Sequence, residues 1–236
     1  IQARRTLTGG HTMAATRFRR HIKVSRTGLH AREAAVLARL STPQAIQDFL
    51  DTIPINHEIG GQTCLSVRQV LKQRRAHCIE GAFLAACALW FHGRPPLVLH
   101  LDCDLSDYPH VVALFRRGSC WGAISKTNGI GLRYRDPVYR SLRELALSYF
   151  HEYANKRGVK TLRSYSVAFD MRRIDPAEWV TNGNSCWVAH DRLAALKHYP
   201  LLGNRELKAV SRQDPFVRKA TKVVQYPRPN PPKKTA

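Results

Sequence analysis

Residues 74–90 read RRAHCIEGAFLAACALW, and they predict the central element of the domain. Small and apolar residues run through this stretch, which predicts a thin helix from about His77 to Phe91 that packs closely on all sides as the central helix of a domain. Cys78 then falls in the first helical turn, where free N–H groups and the helix dipole favour a negative charge. Glu80, an acid in the same turn, suits that dipole.

Cys78 is therefore a candidate nucleophile. Arg74, Arg75 and His77 add positive charge beside it, and such surroundings favour the reactive thiolate form of cysteine. The alternative is a buried structural cysteine, because free cysteine is among the most buried residue types. Cys87, which lies deep in the same predicted helix, fits that second description.

A nucleophilic cysteine needs a base that exchanges its proton. Among the eleven histidines, His110 is the best placed, because it opens a predicted strand after an acidic loop. The run PHVVALFRRGSCWGAIS (109–125) predicts a β-hairpin that turns at Arg117-Gly118. In that register His110 lies opposite Ser125, with Cβ atoms about 5 Å apart. The alternative is a histidine that only satisfies a backbone group at the strand start.

The flanking segments predict the fold class. Ser41 and Ser66 each stand three residues before a glutamine, which indicates two capped helix starts. Leu97–Leu101 reads as a strand, and Asp136 followed by Pro137 predicts the N-cap of a longer helix. Helices come first, then mostly antiparallel strands, then helices again, so the sequence predicts an α+β fold.

The net charge of +21 is unevenly placed. Residues 1–32 carry eight Lys/Arg and no acid, and residues 208–236 carry eight Lys/Arg and one acid. The sequence therefore predicts one domain, 33–207, between a basic disordered extension and a basic proline-rich tail. Such tails can make weak contacts with the phosphates of nucleic acid. A non-catalytic basic module that contacts nucleic acid or protein is thus the alternative function, although no known nucleic-acid motif supports it.

Other classes find little support. The chain has no P-loop and no GxGxxG motif, so no cofactor is expected. His77, Cys78, His100 and Cys103 could approach a zinc ion, but no second close ligand pair accompanies them, and no metal is expected. No transmembrane run or secretory signal is recognised. The six cysteines form no CxxC pair, which is typical of a reducing compartment and favours a cytoplasmic location.

In this order the pieces resemble the transglutaminase-like superfamily of the papain-like cysteine enzymes, and in particular its uncharacterised bacterial members. The matching stretches are the helical lead-in TPQAIQDFLDTIPIN (42–56), the cysteine helix RRAHCIEGAFLAA (74–86), the histidine strand DYPHVVALF (107–115) and the next strand WGAISKTN (121–128). The resemblance covers about residues 40–130. It implies a fold in which a central Cys-bearing helix packs on a mostly antiparallel sheet.

The resemblance also implies a function. Cys78 would be the nucleophile and His110 the base of a hydrolase or acyl transferase, a protease, amidase or transglutaminase that forms a thioester with a peptide or amide substrate. Family members commonly carry an aspartate four residues after the tryptophan, and here Trp121 places Ser125 at that position. Ser125 can accept a hydrogen bond but carries no charge; Asn128 is the other candidate, as in a Cys-His-Asn site. A member without activity, used for protein contacts, would also fit the serine.

Overall fold

The computed structural model describes residues 27–229. The expectations for residues 1–26 and 230–236 lie outside this range. Within it, helices precede and follow an antiparallel sheet, so the predicted α+β class is confirmed. In the described part of the chain, no helix is both long enough and apolar enough to cross a membrane.

The helices of the described range are mostly short. They are α1 (Ala31–Arg39), α2 (Pro43–Asp51), α3 (Val67–Gln73), α4 (Cys78–Phe91), α5 (Leu142–Leu147), α6 (Pro176–Trp179), α7 (Trp187–Ala194), α8 (Asn204–Ala209) and α9 (Pro215–Ala220). The strands are β1 (Leu97–Cys103), β2 (His110–Arg117), β3 (Cys120–Ile124), β4 (Arg135–Tyr139), β5 (Leu162–Ser166), β6 (Phe169–Asp170) and β7 (His198–Pro200).

The sheet places β2 near its middle. Its strand order is β4-β3-β2-β1-β5-β7, with β6 also paired to β1. Side chains alternate between the two faces, so β2 contributes to two cores. Val111 and Ala113 pack in the core that contains α4, whereas Val112 and Leu114 pack on the opposite face with residues of α5.

Helix α4 is the centre of the larger core, as its sequence predicts. Every residue of α4 after Cys78 is buried. Gly81 is required where α4 meets the segment after β3, because a Cβ at this position would lie 2.4 Å from the Cβ of Lys126. Lys126 crosses behind the helix and donates from Nζ to the carbonyls of Leu50, at 2.9 Å, and Ile53, at the end of α2. Burial lowers the pKa of Lys126 to about 8.

Two predicted helix starts need correction. Thr42, and not Ser41, caps α2, because its hydroxyl accepts the Ala45 N–H at 3.1 Å. Asp136 does not cap a helix, because it lies on β4, which pairs with the edge of β3. The helix that follows begins after Ser141. The predicted cap at Ser66 is confirmed.

The folded part of the described chain extends beyond the expected domain, residues 33–207, at both ends. The expected start at residue 33 falls inside α1. Beyond residue 207, α9 forms within the expected tail and the buried Gln213 packs on the domain. Further along, Val224 forms a β-bridge with Gly129. Residues 208–229 are thus part of the folded structure.

Candidate active site

Cys78 is the first residue of α4 and lies half-buried at the edge of a cleft. The chain enters the helix through His77, whose backbone is extended. The Glu80 carboxylate accepts the His77 N–H at 2.8 Å, which closes the first turn as a capping box does. The first N–H groups of a helix have no partner within it. The sulfur therefore lies at an electropositive position.

The Cys78 thiol lies close to the start of β2. Its Sγ lies 4.0 Å from the Pro109 carbonyl oxygen, directly before the strand residue His110. Burial raises the pKa of the Cys78 thiol, but hydrogen bonds from His110 and His77, with the charge of both rings, lower it well below its ordinary value. The surroundings therefore favour the thiolate, which is the nucleophilic form of cysteine.

His110 is buried at the first position of β2. Its Nε2 lies 2.8 Å from Ser125 Oγ, and that hydroxyl is also bonded to the Leu132 carbonyl. A carbonyl oxygen can only accept, so Ser125 donates its one hydrogen to Leu132 and accepts from His110. In a neutral imidazole this arrangement places the hydrogen on Nε2. Nδ1 is then free to take a proton from the Cys78 thiol.

The contact expected between His110 and Ser125 is present, but the predicted hairpin register is wrong. Arg117 pairs with Cys120, which is a shift of two residues from a turn centred on Arg117-Gly118. Gly118 has φ of 60° and occupies the first central position of the turn, where a type II′ turn favours glycine. A two-residue shift keeps each side chain on its own face, so His110 and Ser125 still meet.

Gln47 of α2 fixes the backbone of Ser125. Its Oε1 accepts the Ser125 N–H at 3.0 Å, and its Nε2 donates to the Ser125 carbonyl at 2.9 Å. The amide thereby pairs with Ser125 as a neighbouring strand would. Both side chains are buried, so the hydroxyl that orients His110 is itself held rigidly.

Asn128, the other candidate for the third residue, lines the same cleft but binds a different partner. Its Nδ2 donates to the Tyr226 carbonyl at 2.9 Å, and its Oδ1 accepts the Tyr226 N–H at 2.8 Å. Because both ends of this amide bind the chain near its C-terminal end, Ser125 is left as the partner of His110.

The cleft that holds Cys78 and His110 has a volume of about 280 Å³. It is lined by Ile55, Cys78, Asp107, Tyr108, Pro109, His110, Lys126, Thr127, Asn128, Leu132, Glu152, Tyr153 and Ala154. This volume is close to the lower end for small-ligand sites, roughly 300 Å³. The cleft can therefore take one side chain or a short segment of a larger molecule.

The other cysteines with a shifted pKa have surroundings that oppose the thiolate. A hydrogen bond to Cys186 and burial raise the pKa of Cys64, and burial raises that of Cys87. Burial also raises the pKa of Cys103 to about 12. Within residues 27–229, Cys78 is thus the one cysteine whose pKa is shifted downward.

The four residues considered for zinc are His77, Cys78, His100 and Cys103. His100 Nδ1 lies 2.8 Å from Nε2 of His198, which in turn bonds the Leu196 carbonyl through Nδ1. In the part of the chain that the structure describes, no three His, Cys, Asp or Glu side chains are arranged to hold a metal ion.

A polar network that the sequence did not predict lies behind Cys78. Glu80 is fully buried, and its carboxylate accepts hydrogen bonds from Asn56, Thr63, Leu65 and His77. The available local signal was the H-x-x-E spacing of a capping box. The same spacing occurs at the start of α1, where Glu33 accepts the His30 N–H at 2.7 Å. The Glu33 carboxylate lies near the surface, so the H-x-x-E spacing alone does not identify a buried network.

Comparison of the sequence with protein-family models and with curated proteins found no match. The function therefore has to be argued from the geometry of Cys78, His110 and Ser125.

Proposed function

We propose that this protein is a cysteine-dependent hydrolase or acyl transferase of the transglutaminase-like, papain-like type. One observation carries the proposal: Cys78 at the start of the central helix and His110, which Ser125 orients, line the same cleft. The order of helix, histidine strand and following strand supports the same class. A cysteine, a base within reach and a third group that orients the base are the signature of an activated nucleophile.

The chemistry follows from this arrangement. His110 Nδ1 takes the thiol proton, and the Cys78 sulfur attacks the carbonyl carbon of an amide or ester. N–H groups in the first turn of α4 stabilise the oxyanion that forms. The leaving group takes the proton from His110 and departs, which leaves a thioester on Cys78. Water then gives hydrolysis, whereas an amine gives acyl transfer.

The substrate class is a peptide or amide carbonyl. The cleft supports this assignment because it is open to solvent and many of its lining side chains are polar. A side chain or a short segment of a larger molecule fits its volume, so a peptide would bind with most of its length outside.

Acylation by an activated ester such as p-nitrophenyl acetate tests the proposal. We expect an acetyl group on Cys78, located by mass spectrometry, and a burst of nitrophenol that Cys78→Ala abolishes. Cys103 and Cys120 are internal controls, because they are half-buried like Cys78. His110→Ala should slow both acylation and release of the acetyl group. Equal labelling of Cys78 and the two control cysteines would refute the proposal.

A basic surface favours a second candidate function, contact with an anionic polymer. A cavity of about 600 Å³ is lined in part by Lys160, Arg212 and Arg218, and the whole chain carries a net charge of +21. Retention on heparin that falls steeply with salt would support this function. If deleting residues 1–26 and 230–236 abolishes retention while Lys160→Ala with Arg218→Ala does not, the terminal segments and not the cavity bind the polymer.

A further inference from the structure

The Cys78 cleft adjoins a second cavity that leads to the basic cavity beside α9. This middle cavity has a volume of about 290 Å³ and shares four lining residues with the cleft, namely Thr127, Leu132, Glu152 and Ala154. It shares Gln213 and Val217 with the basic cavity of about 600 Å³. Cavities lined by the same side chains are neighbours, so the three lie in a row. This row, from Cys78 to the basic cavity, is called the extended groove below.

The turn formed by residues 153–161 borders both ends of the extended groove. Ala154, which lines the Cys78 cleft, forms an antiparallel β-bridge with Lys160, which lines the basic cavity. Beside this bridge, the Thr161 N–H donates to the Tyr153 carbonyl at 3.0 Å. Paired residues of antiparallel strands have Cα atoms about 4.5–5.5 Å apart. One narrow turn therefore supplies a wall to the cleft and a wall to the basic cavity.

The chain around α9 completes the basic cavity. Gln213 is buried, and its N–H donates to the Gly158 carbonyl at 2.8 Å. Nη1 of Arg212 and Nη1 of Arg218 both donate to the Arg157 carbonyl, at 3.4 and 3.3 Å. One backbone oxygen thus brings two guanidinium groups together. Each guanidinium has five N–H donors, so most of them are left for a ligand.

The positive charge of the basic cavity is not balanced by ion pairs. Lys160, Arg212 and Arg218 line the cavity, and Asp214 is its one carboxylate. Asp214 accepts two backbone N–H groups in the first turn of α9, at 2.8 and 3.2 Å. Among residues 27–229, no ion pair joins a carboxylate to any of the three cations. Such a cluster of like charges attracts an anionic ligand.

We propose that the extended groove binds an extended peptide whose reacting carbonyl lies at Cys78 and whose acidic side chains lie in the basic cavity. The inference rests on the proposed function and names its substrate class, a peptide with acidic residues at a distance from the reacting carbonyl. The cleft of about 280 Å³ takes only a short segment, so further contacts come from the neighbouring cavities. Binding energy from such remote contacts raises the rate at the reacting centre.

Peptides with a bromoacetyl group at one end test this inference, because the Cys78 sulfur displaces bromide and is labelled irreversibly. One series ends in a run of glutamates and the other in a run of lysines of the same length. About two, four or six glycines separate the run from the bromoacetyl group, since an extended chain spans at most about 3.5 Å per residue. Mass spectrometry locates the label and gives the rate at Cys78.

The ratio of the glutamate-peptide rate to the lysine-peptide rate is compared between two double variants. Lys160→Ala with Arg218→Ala removes two cations of the basic cavity. Lys72→Ala with Arg192→Ala is the matched control, because it removes the same two residue types from exposed positions in α3 and α7, outside the three cavities. Far-UV circular dichroism checks that both double variants fold.

We expect the cavity variant to lower the rate ratio about fivefold or more, since one exposed ion pair gives up to about fivefold. The control variant should lower it less than about twofold, and about 1 M salt should remove the preference in the wild-type chain. An equal fall in both variants would mean that net charge alone acts, and would overturn the inference. Loss of single-stranded DNA binding in the cavity variant with an unchanged peptide ratio would assign the cavity to nucleic acid and would also overturn it.

A measurement on the wild-type chain covers the case in which the cavity variant does not fold. A cavity at a fixed distance from Cys78 gives an optimum spacer length, whereas net charge gives none. A rate ratio independent of the spacer would contradict the inference. Equal labelling of Cys78 and the two control cysteines by p-nitrophenyl acetate would instead refute the proposed function, so the two failures are distinguishable.

Discussion

Replacing Glu80 by glutamine tests the network that supports the start of the central helix. The carboxylate is fully buried, and its donors are Thr63 Oγ1 at 2.7 Å, His77 N at 2.8 Å, Leu65 N at 2.9 Å and Asn56 Nδ2 at 3.1 Å. Glutamine keeps the shape of the side chain but turns one oxygen into an NH₂ group. The new NH₂ group would face other hydrogen-bond donors, and His77 would lose the buried carboxylate with which it is paired.

The magnitude follows from the pKa. The carboxyl of Glu80 has a pKa of about 2 instead of 4.5, and each unit corresponds to about 1.4 kcal/mol of preference for the charged form. Removing one partner of a buried ion pair costs about 3–5 kcal/mol. Both routes give a loss of roughly 3–4 kcal/mol in the free energy of unfolding at neutral pH.

Urea denaturation followed by far-UV circular dichroism measures this loss. Glu33→Gln is the matched control, because Glu33 accepts the N–H of His30 in the same capping position but is paired with the partly exposed Arg68. A pair near the surface contributes about 1 kcal/mol or less. If Glu80→Gln costs no more than Glu33→Gln, the buried network does not stabilise the helix start as argued.

The pH dependence has a defined sign. The pKa of Glu80 is lowered, so its contribution is complete above about 4.5 and is lost as the pH falls toward about 2. The pKa of His77 is raised, so its contribution is complete below 6.5 and is lost as the pH rises toward about 11. The difference between wild type and Glu80→Gln should therefore be largest between these ranges and shrink in acid. A difference that grows in acid would contradict this assignment.

Three further substitutions test the surroundings of the site. Gly81→Ala should cost about 1–3 kcal/mol of unfolding free energy by overpacking against Lys126, whereas Gly60→Ala, with open space around it, should cost little; equal stability of the two variants would contradict the close approach. Ser125→Ala removes the acceptor for His110 Nε2 and should slow turnover of the acyl-enzyme about tenfold or more; unchanged turnover would show that His110 does not need this partner. Asn128→Ala removes two hydrogen bonds to the Tyr226 backbone. The rate of hydrogen exchange at the Tyr226 amide should rise about tenfold if the local stability falls by about 1.4 kcal/mol. An unchanged exchange rate would mean that other contacts hold the segment.

Local sequence patterns predicted which helix and strands form the site better than they predicted how the strands pair. The start of α4 at Cys78 was readable because small residues, a first-turn acid and a preceding polar residue all lie within a few positions of one another. The sequence predicted that a hairpin forms here. Its register depends on which two residues form the turn, and Gly118 can belong to either of the two possible turns. The helix expected from Asp136 failed because pairing of β4 with the edge of β3 is a long-range interaction.

The order of residues along the chain was enough to predict a buried helix with Cys78 in its first turn, followed by a histidine strand and a hairpin. These features depend on side-chain periodicity and on caps that act over three or four residues. The hydrogen-bond partners of the site residues depend on the folded chain. Ser125 is held by Gln47, 78 residues away, and Asn128 is bonded to Tyr226, 98 residues away. The Glu80 carboxylate accepts hydrogen bonds from the segment before α3. Such contacts are set by how the core packs, because burying a polar group requires a partner from whatever part of the chain comes near.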